Sequence, residues 1–305
     1  MIIANPIYDV VFKKMMENER VAKFFIRTLL EQTIETVEVK PQEFTYIDEL
    51  AGLAVFRLDF IATIKTKTGE QIKILIEIQK AKNQIDLMRF RNYLAEQYKK
   101  EDKIDNQKVI LPITTIYILG FKLPEIETPC IKIERNYKDL INKKIIDKKS
   151  DFVEKLTHDS FIVQVDRITN NYSTKLEKLL SLFEQKHFID EKRITKEFNH
   201  ELDTEDIKLT TDILHFSGTN PAERKKIETE QEAWRTVNAM FEDKEKEFYK
   251  KLDEKEKALD EKDNVINQKD NVINEKDSVI NEKDKALDEK DKIIEELMKK
   301  LGDKK

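Results

Sequence analysis

Glycine is scarce in this chain, with five in 305 residues, and no glycine-rich loop able to cradle a phosphate through backbone amides occurs. That argues against a nucleotide-binding α/β fold. Cysteine occurs once, at Cys130, so an internal disulfide is excluded and the chain fits a reducing compartment. Long apolar runs are missing. The longest, Val109 to Phe121, contains Pro112 and two threonines and is too short to cross a bilayer; it reads as a buried strand. No charged n-region followed by an apolar h-region opens the chain. The expectation is a soluble, cytoplasmic protein without a membrane partner. Histidine is equally uninformative: His158, His187, His200 and His215 have no metal-ligand spacing and no paired cysteine. A basic excess is missing too. Residues 221–305 carry 21 basic and 25 acidic side chains and the remainder 35 and 36, so the body lacks the charge that tight, sequence-independent DNA binding uses. The local basic runs Lys13-Lys14, Lys80/Lys82, Arg89/Arg91 and Lys143-Lys144 read as solvated surface.

What is present is a stretch from Ala54 to Gln79 whose side chains sort by parity. Ala54, Phe56, Leu58, Phe60, Ala62 and Ile64 are apolar, as are Ile72, Ile74, Ile76 and Ile78; the odd positions between them include Arg57, Asp59, Thr63, Lys65, Lys73, Glu77 and Gln79. Alternating side chains of a strand point to opposite faces, so each arm is a strand with one buried face and the two form a hairpin. Even must sit opposite even. A two-residue turn at Thr68-Gly69 would pair Asp59 with Ile78, whereas a three-residue loop, Lys67-Thr68-Gly69, pairs Asp59 with Glu77. That loop class takes a positive φ at its last position, where Gly69 stands. Two acids then meet on the face away from the core with Gln79 beside them, an oxygen set suited to Mg²⁺ or Ca²⁺.

An Asp on one strand followed on the next by Glu-x-Lys resembles the PD-(D/E)XK nuclease superfamily, here as Asp59 and then Glu77-Ile78-Gln79, with Gln79 in the lysine place. The opening Asn5-Pro6-Ile7-Tyr8-Asp9-Val10-Val11-Phe12-Lys13, the later Arg89 and Tyr93, and the apolar strand Ile113 to Phe121 follow in an order similar to the recombination-promoting nuclease branch, a group also labelled transposases. The resemblance covers roughly the first 220 residues. It implies a restriction-endonuclease-like α/β core and a DNA endonuclease working by phosphodiester hydrolysis. Asp59 and Glu77 would hold Mg²⁺ (or Mn²⁺ or Ca²⁺), with the Ile78 carbonyl as a further donor. It also implies an N-terminal acid, Asp9, flanking the metal site, and a phosphate contact by Arg89 and Tyr93. Asp9 and Lys13, one helical turn apart, equally fit a surface ion pair, and Arg89 and Tyr93 an ordinary exposed helix face. Gln79 can hydrogen-bond the attacking water but carries no charge. Lys80 points to the opposite face by parity, and Lys65 lies about 20 Å along the strand. Lys13 is the remaining candidate for the missing cation. A different class of function also fits: a nuclease-fold module of weak or no activity that acts by binding DNA or protein and by self-association.

Elsewhere the pattern predicts helices at Asp9 to Met16, Glu19 to Glu31, Ile85 to Lys100 and Leu176 to Phe183, with two more between Asp190 and Phe216. Strands are expected within Glu38 to Asp48 and at Cys130 to Glu134 and Phe161 to Val165. On the Ile85 helix, Leu87, Phe90, Leu94 and Tyr98 are assigned to one side and Arg89, Tyr93 and Glu96 to another. Asn220-Pro221-Ala222-Glu223 is a helix start, after which no glycine or proline occurs before Gly302. A continuous helix would be roughly 120 Å long. Inside it a seven-residue unit repeats (Asn264 to Asp270, Asn271 to Asp277, Ser278 to Asp284, Lys285 to Asp291), each copy with one apolar pair such as Val265-Ile266. A seven-residue period predicts a left-handed coiled coil, although half of the seam is polar in either register. A weak homo-oligomerising helix and a solitary charged helix both fit. The domains expected are 1–170, nuclease-like; 171–220, a helical extension; and 221–305, the charged helix.

Overall fold

The computed structural model of the chain describes residues 1–48, 53–80, 84–104, 107–169, 171–188 and 193–302. In chain order the elements begin with β1 (Ile2–Ala4), α1 (Asp9–Met16) and α2 (Glu19–Leu30). Then come β2 (Ile34–Asp48), β3 (Leu53–Thr66), β4 (Gln71–Gln79) and α3 (Gln84–Lys99). A small ribbon, β5 (Asp102–Ile104) and β6 (Gln107–Val109), precedes β7 (Ile113–Leu119) and β8 (Cys130–Ile133). A second ribbon, β9 (Tyr137–Lys138) and β10 (Ile145–Ile146), leads to α4 (Asp151–Leu156) and β11 (His158–Gln164). The chain ends with α5 (Lys175–Ser181), β12 (Thr195–Glu197), α6 (Glu205–Thr219) and α7 (Pro221–Gly302).

The protein is α/β, built on a six-stranded mixed sheet ordered β2-β3-β4-β7-β11-β8. Strands β2, β3 and β4 form an antiparallel meander, β4, β7 and β11 run parallel, and β8 returns antiparallel. The hairpin has the register that parity predicts: Lys65 faces Gln71, Phe60 faces Ile76, and Gly69 has φ +85°. Thr66 and Glu70 close the three-residue loop, the Thr66 amide donating to the Glu70 carbonyl at 2.9 Å.

On the even face, Ile72, Ile74, Ile76 and Ile78 join Phe60, Ile116 and Phe161 in the main core under α1, α2, α5 and α6. Phe12 of α1 sits edge-on to Phe60 at 5.0 Å and to Phe25 of α2 at 5.4 Å. Each aliphatic side chain buried here contributes about 1.5–3 kcal/mol. Leu179, Leu180, Ile207 and Leu214, from the segment read as a helical extension, lie in this same core. The first strand, β1, pairs with β12 nearly two hundred residues away, Ile2 facing Glu197. Gly218 of α6 permits the approach, since a Cβ there would stand 2.9 Å from the Ala4 nitrogen. Of the two helices expected between Asp190 and Phe216, α6 forms, and β12 occupies the place of the other because pairing with β1 overrides local helical pattern.

The odd face of β4 is also buried. Lys73, Leu75, Glu77 and Gln79 are 3%, 0%, 2% and 7% exposed. Helix α3 covers this face, with Phe90 and Tyr93 packed on Leu75 and Ile113. The helix is rotated from the expected orientation: Phe90, Tyr93 and Gln97 are buried, while Leu87 and Tyr98 are exposed. Phe90 and Tyr93, with Leu94 beside them, turn apolar ring and aliphatic surface onto Leu75 and Ile113, and that burial sets the rotation.

The chain divides into two compact units, Met1–Trp234 and Arg235–Lys305. Helix α7 starts where expected, the Asn220 side chain accepting the Ala222 and Glu223 amides at 3.0 and 3.2 Å. Along the second unit Leu259, Ile266, Ile273, Ile280, Leu287 and Ile294 recur every seventh residue, and all are exposed. Among the described residues no helix is long and apolar enough to cross a membrane.

Candidate functional site at the carboxyl end of the central strand

The three parallel strands end on one line, Gln79 aligned with Leu119 and Leu119 with Gln164. In open α/β sheets that edge, beyond the carboxyl ends of the strands, is where ligands bind. Gln164, fully buried, pins the loop after β7: it donates to the Ile126 and Thr128 carbonyls at 3.0 and 2.8 Å and accepts the Leu123 amide. The Gly120 amide donates to the Gln79 carbonyl at 2.8 Å. A Cβ on Gly120 would stand 3.0 Å from the Lys80 carbonyl oxygen, so a side chain there would push the two strand ends apart.

Glu77 lies next to Tyr117 across the β4–β7 ladder. Burial pushes the Tyr117 hydroxyl well above the usual range, and the Glu77 charge pushes it further in the same direction. The β3–β4 pairing runs to Phe60 and Ile76, one step short of Asp59 and Glu77. Asp59 belongs to β3 and its backbone partner on β2 is Gln42; its side chain lies outside the described residues. The same is true of the Arg89 side chain. Tyr93, expected at the surface, is 2% exposed, with its ring 6.4 Å from that of Phe90.

Asp9 and Lys13 are half-buried on α1, which lies against the even face. Lys80 follows parity and turns to that face, where its ammonium stands 4.8 Å from the centre of the Tyr8 ring. It pairs there with Glu230 of α7, and Glu230 also accepts the Asp9 amide at 2.9 Å. The backbone of Asp9 is thereby tied to the residue that follows Gln79. Sequence reasoning missed Glu230, which sits among the similar glutamates of a charged helix and carries no local signal. It also missed the role of Asn5. That side chain is fully buried and makes a reciprocal pair with Gln185, donating at 3.0 Å and accepting at 3.1 Å, and it donates to the Arg193 carbonyl. The opening Asn-Pro is thus a structural pivot that fixes the start of α1.

Among the described residues no group of three or more His, Cys, Asp or Glu side chains converges as a metal site. Glu77 and Gln79 nevertheless supply hard oxygen donors on one face at the strand end, a chemistry that fits Mg²⁺. Comparison of the chain with protein-family models, with curated proteins and with solved structures gives no match.

Proposed function

We propose that this chain is a metal-dependent DNA endonuclease of the PD-(D/E)XK type, hydrolysing phosphodiesters in recombination or transposition. The observation that carries the reading is the hairpin register. The β3–β4 pairing observed as far as Phe60 and Ile76, carried one step further, would set Asp59 opposite Glu77 at the carboxyl end of β4, and Glu77 there is 2% exposed. An acid so placed is stabilised by a cation, and Asp59, Glu77 and the Ile78 carbonyl are the oxygen donors for it. A bound Mg²⁺, Mn²⁺ or Ca²⁺ supplies the Lewis acidity that lowers the pKa of water and neutralises phosphate charge. The rest falls to the chain. The Gln79 amide orients the nucleophilic water by hydrogen bonding, Asp9 and Lys13 flank the strand end from α1, Arg89 contacts a neighbouring phosphate, and Tyr93 positions α3 from inside the packing.

The test is incubation of the purified protein with plasmid DNA and each metal in turn. Nicking should appear, and Asp59→Asn and Glu77→Gln should each remove it with unchanged circular dichroism melts. Full activity in either variant excludes the site. Gln79→Lys should raise the rate by supplying the charge the superfamily uses.

The second reading, a binding module that self-associates, is favoured by one observation, the exposed apolar spine of α7 repeating every seven residues. On either reading we place a second copy of the chain on this spine. Sedimentation of the full chain against one lacking residues 251–305 decides it: a full-length monomer at tens of micromolar leaves α7 a solitary helix.

A further inference from the structure

The first turns of α7 belong to the body of the protein. Ile227 is 1% exposed in the main core, and one turn later Glu230 reaches the end of β4. Its Oε1 accepts the Asp9 amide at 2.9 Å, its Oε2 accepts the Val10 amide at 3.1 Å, and the Lys80 ammonium closes on Oε1. The Glu230 and Lys80 side chains are 13% and 12% exposed. The Tyr8 and Trp234 rings flank the ammonium, at 4.8 and 5.1 Å. Two amides that open a helix, a nearly buried ammonium and two ring faces that keep that ammonium in place together hold an anion. The anion present is the chain's own Glu230 carboxylate, held at Lys80, the residue after Gln79.

We propose that Glu230 is an autoinhibitory latch: its carboxylate occupies Lys80 and the first amides of α1 in the place that a backbone phosphate of a nucleic acid takes, so that the two exclude each other. The inference rests on the nucleic-acid partner of the reading above and is independent of its chemistry. A phosphodiester presents two anionic oxygens, as a carboxylate does, and satisfies the same donors. Because Glu230 is tethered, it competes at high effective concentration, and an external phosphate displaces it only when other contacts along the strand contribute. The alternative role, a plain cap and ion pair, predicts that losing Glu230 leaves nucleic-acid affinity unchanged or lower.

Trp234 is the single tryptophan of the chain and lies against Lys80, so its emission reports on the latch. The full chain is titrated with a short oligonucleotide in EDTA, which prevents metal-dependent cleavage. Wild-type Trp234 emission should change on binding, and Glu230→Gln should bind about tenfold tighter, as expected for loss of one charge-assisted competitor. The gain should vanish when Lys80→Met is added, since both act through one contact. Equal or weaker binding by Glu230→Gln, or a gain that survives Lys80→Met, overturns the latch. If Glu230→Gln does not fold, the wild-type titration decides, and unchanged emission at saturating oligonucleotide overturns it. Cleavage in Mg²⁺ without any effect of Glu230→Gln on binding sinks the latch and leaves the nuclease. A tenfold gain in binding with no cleavage under any metal sinks the nuclease and leaves the latch.

Discussion

The two faces of β4 are equally buried and chemically opposite. One carries Ile72, Ile74, Ile76 and Ile78; the other carries Lys73, Leu75, Glu77 and Gln79, all at 7% exposure or less. The isoleucine face needs only apolar neighbours, and α1 and α2 supply Phe12 and Phe25. The second face has polar groups to satisfy, and its solutions are specific. Lys73 forms an ion pair with Asp102 at 2.8 Å, Leu75 packs on Phe90 and Tyr93, and Glu77 lies beside Tyr117. A sheet buried on both sides is what parallel pairing of β4, β7 and β11 requires, because the crossover containing α3 must lie on one of the faces. Polar groups kept at that depth are costly unless paired, and such groups concentrate at functional sites.

The largest effect expected from disturbing this contrast is on chemistry. On the proposed nuclease reading, Glu77→Gln keeps the shape of the side chain but removes its charge, and cleavage should fall at least about 10²- to 10³-fold, the loss expected when one electrostatic group is taken from a reaction centre. A nicking assay beside a thermal melt separates this from unfolding. The next experiment compares the faces directly. Ile74→Ala and Leu75→Ala, both at 0% exposure, should each cost about 2–5 kcal/mol in denaturant unfolding. A cost under about 1 kcal/mol for Leu75→Ala alone would mean that α3 is not firmly docked on the odd face.

A third experiment contrasts Lys73 with a buried lysine whose acceptors among the described residues are backbone carbonyls. Lys196 is 2% exposed and donates to the Ser181 and Glu184 carbonyls at 2.7 and 2.8 Å, at the end of α5. Burial pushes its amine down to about 7, with the Glu184 charge opposing. Between that value and the ordinary lysine value of about 10.4 the unfolded chain binds the extra proton, so stability rises with pH by at most about 1.4 kcal/mol per unit. Its share is fully present above the ordinary value and is lost as pH falls through about 7. Lys196→Met should remove that slope, read as the difference between wild-type and variant unfolding curves from pH 7 to 10; parallel curves would contradict it. The smallest effect is expected from removing residues 251–305. Every described side chain there is exposed, so the midpoint of the main unfolding transition should move by less than the equivalent of about 0.5 kcal/mol.

Much of the site's frame was legible because it is local. Period-two alternation places Ile74 and Leu75 on opposite faces, and the loop length with Gly69 at positive φ sets the register that aligns Phe60 with Ile76. The same alternation sends Lys80 away from the Glu77 face, and Asn220-Pro221 marks the start of α7. Period reports which side chains share a face; it carries no information about what lies on that face. That α3 covers Leu75, and that Tyr93 and Gln97 rather than Leu87 and Tyr98 turn inward, depends on the sheet the helix meets. The pairing of Ile2 with Glu197, the pivot at Asn5 and the seat of Glu230 on Asp9 and Lys80 join residues 150 to 221 positions apart. Each is an ordinary polar or apolar residue in its own neighbourhood. Only the folded chain brings its partner within bonding distance, and burial then makes that bond strong enough to matter.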